Sequence, residues 1–424
     1  MVLKTCRIRC IAISAVNGSN FQIEQQCPQC GAPIILDETD RILSCHFCRT
    51  RVYLATDDHF LFYIPPAAGI SEKIYFIPYW RLKGLSYAIT THNIAYKYFD
   101  ANFISFDLPF FPHSLGLRPQ AMKLRFVGNA DHEGKFIAAS QKTRGKLLKN
   151  FKTQAGAVQE IFIGETASII YTPVYFANGR LYDAVLKKPL DVQKKEPEME
   201  DKLVSSPDEK WHVDFLPLLC PECGADLPGA KDALIVFCEN CHRAWNPSKK
   251  HFVPIPYATW REKGDEITYL PFWQLKVKVD GITLENYADF IKVANLPKAP
   301  LDIWDKTPFY FFAPAFKLNP SLFLRWCRQL TVTPAPDDLT PDCPVKNIHQ
   351  VTLPVSEAFE SCLVTLGSLM ADKRHLADML SSLKLTLEHY SLVLHPFAVR
   401  NRELVHTKLD FSMDISALTM GACL

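Results

Sequence analysis

The sequence predicts a β-rich α+β protein built as a tandem duplication, with a four-cysteine metal knot ahead of a small sheet-containing domain in each half. Three observations lead there. Cys27, Cys30, Cys45 and Cys48 form two Cys-x-x-Cys pairs, and they recur 193 residues later as Cys220, Cys223, Cys238 and Cys241. The same shift carries Phe76-Ile77-Pro78-Tyr79-Trp80-Arg81-Leu82-Lys83 onto Tyr269-Leu270-Pro271-Phe272-Trp273-Gln274-Leu275-Lys276, so the register holds over more than 50 positions without a gap. A third match needs a longer shift. Ile170 to Tyr175, followed by Asn178-Gly179-Arg180-Leu181, resembles Val393 to Ala398, followed by Asn401-Arg402-Glu403-Leu404. The second copy therefore carries an insertion of about thirty residues, which takes in the helical stretch from Ser356 to Ser382.

The bulk properties are those of an ordinary globular chain, with 48% hydrophobic and 22% charged residues over a length of 424. A net charge of +2 supplies no global field toward nucleic acid or anionic lipid. No run of about 18 apolar residues is present, so no membrane span is expected.

Taken in order, residues 1–22 form an N-terminal extension. Arg7 and Arg9 crowd its short apolar run and no small-x-small site follows, a poor match to a signal peptide. Residues 23–58 make the first knot and 59–186 the first β-rich domain, in which Lys73-Ile74-Tyr75-Phe76-Ile77 has strand composition. Asn178-Gly179 and Asp280-Gly281 are the strongest hairpin signals, because a type I′ turn needs positive φ at both central positions. Residues 187–212 are dense in charge and proline and read as an exposed linker. The second knot covers 213–250 and the second β-rich domain 251–424. In that domain Leu284 to Leu296 reads as a helix. Asn319-Pro320 opens another, with Leu322, Phe323, Trp326 and Leu330 on one face.

Apolar strands are interrupted by proline at Pro78, Pro109, Pro173, Pro271, Pro314 and Pro396, which places those positions at edges or bulges. Aromatics at strand spacing read first as core. The sharper alternative is a groove lined by Tyr79, Trp80, Phe272 and Trp273, with Arg81, Lys83 and Lys276 as a polar rim for a partner.

The cysteines carry the chemistry. In Cys27-Pro28-Gln29-Cys30-Gly31 and Cys220-Pro221-Glu222-Cys223-Gly224, two thiolates three residues apart can grip one ion, and the following Gly permits the positive φ of a tight knuckle. After fourteen residues, room for a β-hairpin, Cys45-His46-Phe47-Cys48 or Cys238-Glu239-Asn240-Cys241 supplies the other two ligands. Four thiolates suit a tetrahedral metal. Over about 25 residues per copy the chain resembles the zinc-ribbon family with rubredoxin-type knuckles. That resemblance implies two structural zinc ions per chain, each on a three-stranded ribbon and held by these eight cysteines. Arg49 and His242 stand where the second knuckle commonly has glycine, which bears on the turn and not on the ligation.

A complete thiolate shell leaves no open position for substrate, which disfavours metal catalysis. Gly128 to Lys135 has a glycine spacing one residue too long for a phosphate loop, and Phe136 replaces its Ser or Thr. The reading is therefore a non-catalytic adaptor or assembly scaffold contacting another protein, itself a monomer with an internal pseudo-twofold. A nucleic-acid-binding protein is the alternative, using Lys142, Arg144, Lys146, Lys149 and Lys152. A rubredoxin-like electron carrier, with iron in place of zinc, is the third. Six scattered cysteines (Cys6, Cys10, Cys327, Cys343, Cys362, Cys423) point to a reducing, cytoplasmic setting.

Overall fold

A computed structural model describes residues 20–421, apart from 57–58, 91–92, 106–110, 129–133, 141–156, 158, 191–196, 249, 265, 298–300, 343–345, 371–378 and 381. The basic segment Lys142 to Lys152 and Pro109 lie outside the described residues. Among the described residues the protein is β-rich, at 44% strand against 16% helix.

Two long antiparallel pairs form the spine. In the first half the strand Ile74–Ile89 runs against Gln159–Ala177; in the second, Ile267–Asp280 runs against Lys384–Arg400. Their registers correspond. Tyr171 faces Pro78 and Ile169 faces Trp80, as Leu394 faces Pro271 and Leu392 faces Trp273. Both ladders slip just past a lysine, after Lys83 opposite Thr166 and after Lys276 opposite His389. Each spine also takes a short parallel strand, Phe60–Tyr63 or Tyr257–Trp260. Phe62 faces Ile170 where Ala258 faces Val393, so the matching strand lies 196 residues on, not 193. The gap-free register read from the sequence is thus broken by three extra residues between the second knot and this strand.

The four spine prolines share one solution. Pro173 falls where the neighbour of its strand changes from 60–63 to the strand Arg180–Asp183, and Pro396 where it changes from 257–260 to Glu403–His406. At such a changeover no carbonyl faces the missing N–H, while the proline carbonyl still accepts. The amides of Ser105, Ala184, Ala315 and Thr407 donate to Pro78, Pro173, Pro271 and Pro396 at 3.0–3.1 Å. The prolines therefore sit at interruptions on one side of central strands, not on edge strands. Pro314 ends the strand Phe311–Pro314.

The hairpin expected at Asn178-Gly179 forms, with φ of 49° and 70°, and Asn401-Arg402 makes the same turn at 48° and 70°. Asp280-Gly281 does not make a hairpin. Only Gly281 of that pair has positive φ, and the strand it ends pairs with 311–314 and 384–400, both distant in sequence. The chain goes instead into the helix Tyr287–Ala294, started by a capping box between Asn286 and Asp289. The helix Pro320–Thr331 begins as read, Asn319 Oδ1 accepting from the Ser321 amide, and buries Phe323, Trp326 and Leu330.

The stretch read as an insertion holds the helix Val355–Leu369. Ala358, Cys362, Val364 and Leu366 are all buried, while Ser356 and Glu360, one turn apart, face solvent. The helix packs on 267–280 and 384–400 of its own half and on 74–89 and 159–177 of the other.

Two further expectations meet a different structure. Trp80 is 0% and Trp273 2% exposed, and Tyr79 and Phe272 are fully buried. The indoles donate inward, to the Ser140 and Leu353 carbonyls at 3.1 and 2.8 Å. The aromatics are core, so no groove exists there, and Arg81 is buried too and cannot form a rim. The charged stretch read as an exposed linker is partly folded. Lys188–Pro189 extends the first sheet, and the helix Pro197–Ser205 buries Leu203 against Tyr75 and Ile137. Asp208 and Glu209 then dock on the strand Gly134–Phe136, whose Phe136 amide donates to Asp208 and whose Phe136 carbonyl accepts from the Glu209 amide. Leu203 and a few hydrogen bonds to the Gly134–Phe136 strand tie the described residues 197–209 of this polar stretch to the first sheet.

Candidate metal centres

Each Cys-x-x-Cys sits at the tip of a hairpin. Cys27 and Cys30 close the hairpin of Gln22–Gln26 with Pro33–Asp37; Cys45 and Cys48 close that of Ile42–Ser44 with Arg51–Ala55. In the second half, Cys238 and Cys241 lie between Val236–Phe237 and Ala244–Pro247, and Cys220 and Cys223 follow Asp214–Pro217.

All four knuckles have one backbone design. The amide of the first cysteine donates to the carbonyl five residues on, and the amide four residues on donates back to the cysteine carbonyl. These bonds are 2.8–3.0 Å at Cys27, Cys45, Cys220 and Cys238 alike. The closing residue must take positive φ, and it does so at Gly31 (72°), Arg49 (63°), Gly224 (73°) and His242 (60°). The missing glycines of the second knuckles therefore leave the turn unchanged, and Arg49 and His242 carry its strain.

The structure brings the eight cysteines together in the two expected groups. Within each, all sulfurs lie within 4.8 Å of one another. Cys27–Cys48 and Cys30–Cys45 are 3.6 Å apart, Cys220–Cys241 and Cys223–Cys238 3.5 Å. A tetrahedron of thiolates at about 2.3 Å from a metal has edges of about 3.8 Å. The groups thus fit a metal ion with almost no rearrangement. Cys27, Cys45, Cys220 and Cys238 are buried, while Cys30 and Cys223 face solvent.

Four adjacent thiols cannot all ionise without a cation. The Thr50 hydroxyl, 3.2 Å from Cys48 Sγ, holds that thiol down to about 6, and the Asn240 side chain does the same for Cys223, also to about 6. In return Cys241 is pushed up to about 12 by burial and by its three cysteine neighbours. At Cys30 the Ala32 amide pulls the other way but is outweighed by desolvation and the other sulfurs, to about 12. A divalent ion removes that conflict by favouring the thiolate at every position. The sequence does not mark Thr50 and Asn240 as part of the site; their signal is a polar side chain within two residues of a clustered cysteine.

His46 and His242 adjoin the clustered cysteines but belong to neither group; the His242 carbonyl accepts from the Tyr257 hydroxyl at 2.7 Å. Cys327 and Cys362 are buried in the 320–331 and 355–369 helices, where burial pushes the Cys327 thiol up to about 12.

The two knots interlock. The strand 214–217, which leads into the second knot, pairs with 51–55, which leaves the first, making a sheet with 42–44. The Lys231 carbonyl accepts from the amides of Arg41 and Ile42, and Arg51 Nη2 donates to the Gly229 carbonyl at 3.0 Å. Ile42, Tyr53, Leu216, Cys220, Cys238 and Trp245 share one apolar cluster. The first knot is therefore not a free-standing three-stranded ribbon, since its third strand comes from the approach to the second.

No helix among the described residues is long and apolar enough to cross a membrane. No family model, curated protein or solved structure matches the chain.

Proposed function

We propose that the protein is a non-catalytic zinc-binding scaffold, holding one structural zinc in each of two duplicated modules and making contacts with another protein. The observation that carries this is the pair of four-sulfur clusters on four backbone-identical knuckles. Four protein ligands complete the shell, so the metal has no position for substrate and contributes to folding instead. Duplication is supported by the matched registers, the matched proline changeovers and the two equivalent two-residue turns. On this reading the ribbons are 23–58 and 213–250 and the sheet domains 59–186 and 251–424. The helix 355–369, inserted in the second copy, joins them about the internal pseudo-twofold. The six scattered cysteines support a reducing, cytoplasmic setting as part of this reading.

The adaptor role is supported by Phe47, which lies between two ligands at the tip of the first ribbon and is 75% exposed. An aromatic held on a rigid knuckle is the kind of group that anchors an interface. Affinity purification of the tagged chain from its native source tests this. A defined protein at constant stoichiometry, lost in Phe47→Ala while two metals remain, supports the scaffold. A chain recovered alone from gently lysed cells contradicts it.

A further inference from the structure

At the end of each spine hairpin one side chain caps the turn that follows, and the two halves use different chemistry for it. In the first, Asp183 Oδ1 accepts from the amides of Val185 and Leu186 at 2.8 and 3.0 Å. Arg118 clamps the same carboxylate, Nη1 at 2.6 Å from Oδ2 and Nη2 at 2.8 Å from Oδ1. In the second, His406 Nδ1 accepts from the amides of Lys408 and Leu409 at 3.1 and 3.0 Å. A ring nitrogen that accepts two N–H groups carries no proton, so the proton of His406 sits on Nε2. It is donated to His395 Nδ1, 3.0 Å away. His395 in turn carries its proton on Nε2, which is buried without a hydrogen-bond partner. Both rings are thereby neutral, with fixed tautomers.

We propose that the His406 turn is an acid-released latch. Protonating His406 Nδ1 sets a third N–H against the Lys408 and Leu409 amides and breaks both caps. That frees residues 407–411, and with them the strand Ser412–Asp414 and the helix Ser416–Gly421 that follow. Phe411, packed 4.9 Å from the His406 ring, leaves the core in the same step.

The surroundings offer a proton no compensation. The rings facing the pair are Trp260, Phe272, Phe312, Phe397 and Phe411, all uncharged. Of the charged groups, Lys408 repels. Glu262 engages Thr407 at 3.3 Å, Asp338 engages Lys408 at 3.0 Å, and Arg325 donates to the Ser412 carbonyl at 3.0 Å. Burial first, then Lys408, lowers His406 to about 3, and burial with His406 holds His395 well below the ordinary histidine range. The opened turn binds protons that the closed turn refuses, so opening is favoured as pH falls below about 6.5 and continues to be so down to about 3. The Asp183 turn lacks this response. Burial raises its carboxyl, but Arg118 and the turn amides outweigh that and hold it below the usual carboxylate range.

Hydrogen exchange on the full chain, corrected for intrinsic rate, tests the latch between pH 8 and pH 5. Protection over 407–421 should fall about thirtyfold or more, the factor for one imidazole released to a pKa of about 6.5, while 184–190 stays unchanged. His406→Asn puts a non-titrating oxygen where Nδ1 stands and should flatten the response. Equal loss in the two turns of the wild-type chain would overturn the proposal, whether or not the variant folds. So would a His406→Asn protein that loses protection as the wild type does.

Discussion

Arg81 Nε lies 3.0 Å from Glu38 Oε1, and both side chains are shut off from water, at 0% and 2% exposed. The pair joins the first spine to the turn after the hairpin of Gln22–Gln26 with Pro33–Asp37; Asp100, on the neighbouring strand, bonds the other edge of the guanidinium. At the matching place in the second half, Gln274 accepts from the Ser391 hydroxyl at 3.2 Å, a neutral bond in place of the ion pair.

Removing one partner of a buried pair leaves an uncompensated charge. Arg81→Met is expected to destabilise the protein by about 3–5 kcal/mol, while Arg81→Met with Glu38→Leu should recover part of that loss. Urea unfolding followed by tryptophan fluorescence and by circular dichroism measures both. An Arg81→Met protein as stable as wild type would show that the pair is not closed to solvent.

Glycine positions separate conformational strain from crowding. A Cβ at Gly31 or Gly224 meets nothing within 4 Å, so Gly31→Ala should cost only the left-handed backbone term, about 1–2 kcal/mol. At Gly128, also at positive φ, a Cβ would lie 2.4 Å from the Trp211 carbonyl oxygen. Gly128→Ala is expected to be clearly worse than Gly31→Ala in melting temperature. The reverse order would contradict the packing of the 211–214 segment on the first sheet.

Leu203 decides whether the charged stretch behaves as a linker. It is fully buried on one side of the 197–205 helix, so Leu203→Asp should release the helix and speed trypsin cleavage at Lys202 and Lys210. If wild type and variant are cut there at the same rate, the helix does not hold to the sheet in solution.

Phe47 should matter for a partner and not for the fold. At 75% exposure its loss is expected to change stability by less than about 0.5 kcal/mol. Partner affinity should fall about tenfold or more. Parallel loss of stability and binding would instead mark Phe47 as a folding residue.

Much of this structure was legible in the chain. Cysteine spacing located both sulfur groups, Asn178-Gly179 its turn and Asn319-Pro320 its helix start, because each is a local requirement met by few residue types. The spine prolines were legible as interruptions, though which side lacked a partner depends on strands far away in sequence. The knot-to-knot pairing of 51–55 with 214–217 left no local mark, since a strand of four or five residues reads the same beside any neighbour. Arg81 read as a rim residue because its partner Glu38 lies 43 positions away. The cap at His406 was silent for a related reason: a lone histidine reveals its tautomer only through the amides and the second ring around it.

The central claim is two structural zinc ions on eight thiolates. Native mass spectrometry of the purified chain, with elemental analysis of the same sample, should give two zinc per chain and a colourless solution. Cys30→Ser and Cys223→Ser should each retain less than two. One metal per wild-type chain, or iron with a visible thiolate charge-transfer band, would contradict the account.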